Sequence, residues 1–425
     1  MQNNKNFTQD WKIEKLDSIF NVFGGTTPST LIKEFWNGDI PWVTPSDLNN
    51  YLQNIYLIQT EKKITEVAVK KYSLNIFSEN NILLSTRASI GLVAINKFPV
   101  NINQGMTVLV PKNRNMISPF YFVYYFYWVK KYLSQLASGS TFKEISKSTL
   151  RNMNVYLPAL LEQERIAEIL LNMDKSIEEV SKAIEKSVNL KKGLMQKLLI
   201  NGIGHKEFKI SEFGRIPNNW QVKKLYETAD EEDKYSFTGG PFGSNLKTVD
   251  YKKVGVRIIQ LQNIGDGTFN NKYYLYTSEK KANQLYSCNI YPNDIVIAKM
   301  AEPLARACKI PNSDRRFLMC SDCIRLSVNK KLYYPDYILY AINSDYFRKN
   351  AIKHSTGTTR LRIDLNKLKN LKILIPPSPE QEKIAEILST IDERIQLLKE
   401  KKQKTERIKI SLMNELLTGK KRVKL

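Results

Sequence analysis

The chain has 425 residues, too many for one ordinary hydrophobic core, so we expect two or three domains of roughly 150 residues each. A hydrophobic fraction of 42% with 10% aromatic residues excludes a disordered chain. The net charge of +23 favours a polyanionic partner, with nucleic acid first among the classes. Codon bias toward Lys and Asn is the alternative explanation, but such bias usually raises Glu as well, and acidic residues lag here.

The N-terminal stretch and the most apolar run both argue against a membrane protein. Met1–Asp10 is polar and lacks the apolar core of a signal peptide, so we expect a cytoplasmic protein with reduced thiols. The longest apolar run, Pro119–Val129, is far shorter than the ~20 residues of a membrane span. We therefore predict a buried aromatic helix at this place and no membrane partner.

Short β-branched runs alternate with helical stretches in the front part of each half, which predicts α/β (α+β) domains. The predicted strands are Ile82–Ser85, Thr107–Val110, Ile295–Ala298 and Ile324–Val328. The predicted helices are Ser118–Leu136 and Tyr334–Lys353.

Two long helices follow these front parts. Apolar residues recur at alternating intervals of 4 and 3, which is the spacing of a coiled-coil seam. The seam residues are Ile166, Leu170, Met173, Ile177, Val180 and Ile184 in the first helix, and Ile384, Leu388, Ile391, Ile395 and Leu398 in the second. We expect the two helices to pair with each other in an antiparallel coiled coil; the alternative is that each helix only covers its own domain.

An internal repeat organises the whole chain. Glu162–Leu170 recurs as Glu380–Leu388 with eight of nine residues identical, at an offset of 218 residues. Asp174 and Asp392 match at the same offset. The repeat predicts a tandem duplication with pseudo-two-fold symmetry, comprising a front domain at 1–157, a helical region at 158–204, a second front domain at 205–375 and a second helical region at 376–425.

The two front domains match more weakly than the helical regions. Ile40–Thr44 aligns with Val256–Gln260, and Asn81–Arg87 aligns with Asp294–Met300. Side chains differ at nearly every aligned polar position. This contrast predicts two front domains of one fold that recognise different ligands, attached to two helical regions that share one function.

Several motifs together carry a family resemblance. They are Trp42–Leu48, Ser85–Gly91, Asn103–Gly105, Gly139–Thr141, Gly357–Thr359, Pro376–Leu388 and Leu416–Arg422. In this order, over nearly the whole chain, they resemble the specificity subunit of type I restriction-modification enzymes.

The resemblance implies two target-recognition domains, each binding one half of a split, asymmetric site in double-stranded DNA. It implies that the paired helices set the spacing of the half-sites and dock two modification subunits, which restriction subunits join. S-adenosylmethionine, ATP and Mg would then be bound by those partners, and this chain would hold no cofactor and no metal. We assign docking to the helix residues Ile166, Leu170, Ile177, Ile384, Leu388 and Ile395.

Candidate DNA contacts are polar residues and close-approach glycines in the aligned loops, because Arg reads guanine and Asn or Gln reads adenine at base edges. In the first front domain they are Thr44, Ser46, Arg87, Asn103, Gln104, Gly139, Ser140, Thr141 and Lys143. In the second they are Gln260, Gln262, Asn263, Lys299, Ser321, Gly357, Thr358, Thr359 and Arg360, and the aligned places also hold Asp322 and Arg362. A solvated loop residue is the alternative at each position. Met300 replaces Arg87 in the alignment, so we expect Arg306 or Lys299 to take the arginine's role.

Enzyme motifs are missing from the sequence. It has no Asn-Pro-Pro-Tyr or Asp-Pro-Pro-Tyr loop for a flipped adenine and no Walker phosphate loop, and its two histidines lack a ligand set. Cys320 and Cys323 form a lone Cys-x-x-Cys pair, for which packed thiols are the preferred interpretation and a metal the alternative. We expect a non-catalytic binding protein; a coiled-coil scaffold for RNA or DNA is the rival class.

Overall fold

The computed structural model describes residues 10–49, 55–139, 143–300 and 302–424. The predicted contact residues Ser140 and Thr141 lie outside these ranges. The contacts divide the chain into two compact units: unit 1 runs up to Ala183 and resumes at Leu398, and unit 2 is Ile184–Leu397. Each unit therefore takes part of both long helices, and the four predicted domain limits stay predictions.

The described residues of unit 1 form three sheets and a group of helices. Its strands are β1 (Lys12–Lys15), β2 (Phe20–Gly24), β3 (Trp36–Val43), β4 (Tyr56–Leu57), β5 (Lys62–Ile64), β6 (Ile82–Ser85), β7 (Val93–Asn96), β8 (Asn101–Ile102), β9 (Met106–Pro111) and β10 (Asn154–Leu157). Its helices are α1 (Leu16–Ile19), α2 (Pro45–Asn49), α3 (Glu66–Tyr72), α4 (Pro119–Trp128), α5 (Lys130–Leu136), α6 (Lys147–Arg151) and the first part of α7 (Leu160–Asn201). The sheet orders are β2-β9-β6-β7-β4, β5-β3-β8 and β1-β10.

Unit 2 contains the matching elements and some additions. Its strands are β11 (Phe208–Ser211), β12 (Gly214–Pro217), β13 (Gln221–Lys224), β14 (Phe237–Gly239), β15 (Tyr251–Lys252), β16 (Val256–Ile259), β17 (Tyr276–Thr277), β18 (Asn289–Ile290), β19 (Ile295–Ala298), β20 (Ala307–Lys309), β21 (Phe317–Met319), β22 (Cys323–Leu326) and β23 (Lys372–Ile375). Its helices are α8 (Glu279–Gln284), α9 (Pro335–Ile342), α10 (Asp345–Lys353), α11 (Leu365–Asn370) and the first part of α12 (Ser378–Leu416). The sheet orders are β14-β22-β19-β20, β15-β17-β16-β21-β18, β13-β23 and β11-β12.

The two units share one topology, which confirms the duplication. The antiparallel order β2-β9-β6-β7 recurs as β14-β22-β19-β20. The parallel pair of β3 with β8 recurs as β16 with β21. In unit 1 the first strand, β1, pairs with β10, the last strand before the long helix. In unit 2 the matching pair is β13, which follows the β11-β12 pair, with β23, and each pair closes its domain next to a long helix.

The predicted helices of the front domains are present but broken. Ser118–Leu136 divides into α4 and α5 at Val129. Tyr334–Lys353 divides into α9 and α10, because Ser344 caps α10 by accepting a hydrogen bond from the Phe347 N–H. The side chain of Asn343 bonds the backbone of Ala307 in β20, which holds the break against the sheet.

The aromatic helix α4 is buried in unit 1, as predicted. Tyr121, Phe122, Tyr124, Tyr125 and Phe126 are each at most 2% exposed and pack into the core beneath the five-stranded sheet. No helix in the described part of the chain combines the length and apolar composition that a bilayer span requires.

The long helices run antiparallel to each other within each unit. In unit 1, Asp174 and Glu162 near the start of α7 meet Lys409 and Arg422 near the end of the chain. In unit 2, Lys191 near the end of α7 meets Asp392 near the start of α12.

The six helix residues assigned to subunit docking need a correction. Their side chains are at most 7% exposed because they pack inside the chain itself, so they are unavailable to another subunit. They are Ile166, Leu170, Ile177, Ile384, Leu388 and Ile395. We reassign them to the chain's own helix packing.

Candidate nucleic-acid interfaces

Loop cluster 1 of unit 1 comprises residues 44–47, 86–88, 103–105, 138–139 and 143–145, which the sequence places far apart. Backbone hydrogen bonds join these loops at the ends of strands β3, β6 and β8. The bonds run from Asn103 N to Val43 O (2.9 Å), from Thr86 N to Gly105 O (2.9 Å), from Ile145 N to Thr86 O (2.9 Å) and from Ala88 N to Lys143 O (3.1 Å). The predicted contact residues of the first front domain that lie in the described ranges thus share one surface.

Thr44 and Ser46 belong to a turn that is organised by Asp47. Asp47 is not among the predicted contact residues. The buried Asp47 carboxylate accepts hydrogen bonds from the Thr44 N–H and hydroxyl, both at 2.7 Å. The Thr44 and Ser46 hydroxyls lie 2.7 Å apart. Asp47 therefore presets the turn, Thr44 supports it, and Ser46 is the exposed member.

The Asn103–Gly105 loop is also preset. The Asn103 side-chain oxygen accepts a hydrogen bond from Gly105 N–H at 2.9 Å, so Asn103 shapes the loop. Gln104 is exposed at the tip, and its backbone N–H donates to the Thr27 hydroxyl at 3.4 Å. A Cβ on Gly105 would lie 3.7 Å from both Arg87 and Pro45, which shows how closely the three loops meet.

Arg87 and Lys143 supply the positive charge of loop cluster 1. Arg87 Nε lies 3.7 Å from a Glu144 carboxylate oxygen, and its side chain is 36% exposed. Lys143 is exposed beside that acid. The surface that can meet a ligand therefore presents Ser46, Arg87, Gln104 and Lys143.

Loop cluster 2 of unit 2 comprises residues 260–263, 299–300, 320–322 and 356–363. It repeats three of the four joining bonds of loop cluster 1 at aligned positions. These run from Cys320 N to Ile259 O (2.9 Å), from Lys299 N to Asp322 O (2.8 Å) and from Ile363 N to Lys299 O (3.0 Å). One backbone framework thus supports two different sets of side chains.

Asn263 is a structural residue, which corrects its assignment as a DNA contact. It is 1% exposed, and its side-chain oxygen accepts from Gln260 N–H at 3.0 Å. Its amide NH₂ donates to the carbonyls of Asn270 and Tyr273. Asn263 therefore organises its turn in unit 2 as Asp47 does in unit 1, by accepting a hydrogen bond from the backbone N–H three residues earlier. Gln262 remains at the surface, where its NH₂ donates to the Gln260 side-chain oxygen at 2.8 Å.

In unit 2 the role of Arg87 is taken by neither Lys299 nor Arg306, the two residues expected from the sequence. The Lys299 ammonium turns inward and donates to Ser321 O at 3.0 Å, and burial lowers its pKa, with a further contribution from Arg362. The Arg306 guanidinium donates to the carbonyls of Glu302 and Leu261. Both cations position loops, so the assignment of Lys299 as a DNA contact is corrected.

Arg362 instead supplies the exposed guanidinium of loop cluster 2. It is 54% exposed and bonds Asp322 at 3.0 Å. Its bridges to Met300 and Thr356 match those of Glu144 to Arg87 and Ser138 in unit 1. Arg362 therefore stands at the position of Glu144, and its acidic partner Asp322 stands at the position of Gly105.

The Gly-Ser/Thr-Thr segments of the two units both begin at a glycine with positive φ. Gly139 and Gly357 both have positive φ, 118° and 98°, which favours glycine at these turns. Thr358, Thr359 and Arg360 are exposed at the rim of loop cluster 2. Ser321, in the 320–322 segment of the same cluster, is half-buried.

Cys320 in loop cluster 2 faces Cys323 at the start of β22, with the two sulfurs 3.4 Å apart. The hydrogen bond from Cys323 lowers the pKa of the Cys320 thiol, and the same bond together with burial raises the pKa of Cys323. Within the described ranges, no three His, Cys, Asp or Glu residues gather in a group that could hold a metal ion.

Two Gly-Gly loops also border the clusters, one in each unit, and neither is among the predicted contact residues. A Cβ on Gly25 would lie 2.1 Å from Asn103 O, and one on Gly240 would lie 1.7 Å from Cys320 O. Only glycine allows these approaches at the aligned carbonyls. The signal was available as Gly24-Gly25 and Gly239-Gly240, which occur at corresponding places in the two halves.

The repeated Glu-Gln pair explains why the helical regions match so well. In unit 1, Glu162 accepts from the Trp11 indole at 3.2 Å and pairs with Arg422 at 2.6 Å. In unit 2, Glu380 accepts from the Trp220 indole at 3.0 Å and bonds His205 at 2.7 Å. Each glutamate thus ties a front domain to the segment that follows the opposite long helix.

The adjacent glutamines complete these junctions. Gln163 accepts from Ser118 N–H, and Gln381 accepts from Tyr334 N–H, both at 2.9 Å. Both glutamines are at most 1% exposed. They connect the start of each long helix to the start of α4 or α9.

The duplicated aspartates link the helices to each other and to the front domains. Asp174 accepts from the Tyr124 hydroxyl at 2.6 Å and pairs with Lys409. Asp392 accepts from the Tyr340 hydroxyl at 2.8 Å and pairs with Lys191 at 2.6 Å. The two sites are copies, because Lys191 and Lys409 also match at the 218-residue offset.

Comparison with known sequences matches both halves of the chain to one family. The family described as the type I restriction modification DNA specificity domain matches residues 8–190 and 204–407. The type I restriction enzyme MjaIX specificity subunit of Methanocaldococcus jannaschii is 30% identical over 98% of this chain and 94% of its own length. The MjaVIII specificity subunit of the same organism is 28% identical, with the same coverage.

Solved structures agree on the fold. The S subunit of a type I restriction-modification system from M. genitalium aligns with a TM-score of 0.56 at 17% identity, over 98% of both chains. A chain from a study of complex assembly and conformational transition in the type I R-M system aligns with a TM-score of 0.58 at 15% identity, over 97% of this chain and 99% of that one. The chain therefore belongs to the family of type I restriction-modification specificity subunits, with one specificity domain in each half.

Proposed function

We propose that this chain recognises a bipartite, asymmetric site in double-stranded DNA, with loop cluster 1 reading one half-site and loop cluster 2 the other. The observation that carries the proposal is that one backbone framework, repeated in both clusters, holds different side chains in each. The guanidinium comes from Arg87 in one cluster and from Arg362 in the other, and Gln104 at one loop tip corresponds to Ser321. Different donors on one scaffold read different base edges.

Charge supports DNA as the ligand. The chain carries 65 basic against 42 acidic residues. Lys143 and Arg360 are exposed at the rims of the two clusters. Rim cations bind phosphates and position the protein, whereas specificity comes from the side chains at the centre of each cluster.

Membership of the family supports a proposal for the partners. We infer that this chain is non-catalytic, docks two modification subunits, and is joined by restriction subunits. In this arrangement S-adenosylmethionine, ATP and Mg are bound by those partners. The seam of the long helices is occupied within the chain, so docking uses their exposed side chains, such as Leu161 and Leu397, which are 66% and 65% exposed.

A domain exchange tests the assignment of half-sites. Residues 1–157 are replaced by the aligned part of a relative of different specificity, and methylated adenines are mapped genome-wide in cells that also express the modification and restriction subunits. We expect one half-site to change and the other to stay. Exchange of residues 205–375 is the reciprocal control and changes the opposite half. If either exchange altered both halves, the modular proposal would be wrong.

A further inference from the structure

The loop at residues 239–246 of unit 2, here called the Phe242 loop, carries an aromatic ring that the described contacts leave in solvent. Phe242 is 82% exposed, although its neighbours Pro241 and Leu246 are buried. A short turn, closed by the Asn245 N–H bond to Phe242 O at 2.8 Å, separates these anchors. The loop is thus fixed at both ends while its ring points outward.

The Phe242 loop adjoins loop cluster 2. Gly240 N–H donates to Cys323 O at 2.8 Å, and a Cβ on Gly240 would lie 1.7 Å from Cys320 O. A Cβ on Gly239 would lie 3.0 Å from the Lys299 ammonium nitrogen. Both glycines therefore hold the loop against the segments 299–300 and 320–322.

The aligned loop of unit 1 carries no aromatic residue. Gly24-Gly25 corresponds to Gly239-Gly240, which places Thr27 at the position of Phe242. The Thr27 hydroxyl accepts from Gln104 N–H in loop cluster 1. The position is therefore part of the candidate interface in both units, and only unit 2 equips it with a large apolar side chain.

The chain that follows the ring is basic. Lys247, Lys252 and Lys253 are exposed, and the one acid among residues 247–253, Asp250, is bound to Lys281 at 3.2 Å. An exposed aromatic ring beside cations matches duplex DNA, because lysines bind phosphates while rings stack on bases or enter between them.

We propose that Phe242 is a specificity-determining wedge that inserts against a base step of the half-site read by unit 2. The inference rests on the proposed DNA-reading function and adds to it. It makes recognition by unit 2 depend on how easily a base step opens, since pyrimidine–purine steps unstack at lower cost. Loop cluster 1, with Thr27 at this position, reads its half-site without such a wedge.

The test uses the full chain assembled with its modification subunits, and duplexes carrying the site mapped by methylation. 2-Aminopurine replaces bases one at a time in the half-site of unit 2, because its fluorescence rises when stacking is lost. With the unsubstituted chain we expect a rise at one base step on binding. Phe242→Ala abolishes that rise and weakens binding roughly 5- to 150-fold, whereas Phe242→Trp keeps both.

Two variants serve as controls. Val254→Ala removes an apolar side chain that is 78% exposed in the same unit, and we expect no change in affinity or fluorescence. Thr27→Ala affects the other half-site only. Because Phe242 is exposed, Phe242→Ala leaves the unfolding temperature unchanged, so lost binding cannot be ascribed to misfolding.

Other outcomes overturn the inference in distinguishable ways. If Phe242→Ala binds within twofold of the unsubstituted chain with the same fluorescence rise, the wedge is refuted while the DNA-reading function stands. If the variant loses its modification subunits on gel filtration, the ring belongs to a protein interface. If the unsubstituted complex does not distinguish the mapped site from a scrambled duplex, the proposed function fails and the wedge with it.

Discussion

Replacing Lys409 in unit 1 and its copy Lys191 in unit 2 by methionine should destabilise the two units by different amounts. Methionine keeps an apolar stem of similar length and removes the charge, so each duplicated aspartate loses its cation. In unit 1 the lysine and aspartate side chains are only 16% and 13% exposed. In unit 2 they are 21% and 36% exposed, so water can replace the lost partner of Asp392 more readily.

The structure gives the size of the difference. Leaving one partner of a buried ion pair uncompensated costs about 3–5 kcal/mol, whereas surface pairs contribute about 0–1 kcal/mol. Asp174 keeps the Tyr124 hydroxyl and some solvent, so we expect Lys409→Met to cost about 2–3 kcal/mol. Lys409 also lies over two rings, Tyr124 and Tyr127, whereas Lys191 lies over Tyr340 alone. We expect Lys191→Met to cost about 1 kcal/mol.

The assay is unfolding in urea, monitored by hydrogen–deuterium exchange mass spectrometry. Peptides from each unit are then read separately, because a chain of two units need not unfold in one step. Adding Asp174→Asn to Lys409→Met is the matched control, and it recovers part of the loss by removing the unpaired charge. Equal losses for the two lysine variants, or a greater loss for Lys191→Met, would refute the reasoning from burial.

Three further predictions concern DNA binding and thiol chemistry. The logarithm of the DNA-binding constant falls linearly with the logarithm of the salt concentration, and Lys143→Ala reduces the steepness of this line by about 1 whereas Gln104→Ala leaves it unchanged. Filter binding measures the slope, and equal slopes for the unsubstituted chain and both variants would contradict the assignment of Lys143 as a phosphate-binding cation. Arg362→Ala relaxes one position of the half-site of unit 2 by about 1–3 kcal/mol, and Arg87→Ala does so only in the other half-site; methylation mapping that shows both halves changed would reject this division. Cys320 reacts first with iodoacetamide and at a lower pH than an ordinary thiol, because the Cys323 hydrogen bond lowers the Cys320 pKa while burial raises the pKa of Cys288 and Cys308; peptide mass spectrometry that finds Cys308 labelled first would contradict it.

Patterns in the linear sequence were sufficient to predict much of the fold. The 218-residue repeat, the seam through Ile166 and Ile384, and the run at Pro119–Val129 all predicted elements that the structure contains. Such patterns are readable because helix and strand periodicity is set by nearby residues. The alignment of the two halves also selected loops that come together at the ends of β3, β6 and β8 and of their counterparts in unit 2.

The role of each side chain within those loops depended on tertiary contacts. Asn263 looked like an adenine reader, yet the carbonyls of Asn270 and Tyr273 occupy its amide. The guanidinium aligned with Arg87 came from Arg362, more than 60 residues beyond the aligned Met300, because a β-bridge brings the two positions together. Glu162 and Glu380 owe their conservation between the halves to indole and cation partners from distant segments. The sequence alone thus determined the duplication and the helical seam, and it selected the loops that gather in the two clusters. Only the folded chain decided which polar groups face a ligand, because a buried side chain such as Asn263, whose hydrogen bonds are made inside the protein, cannot also read a base.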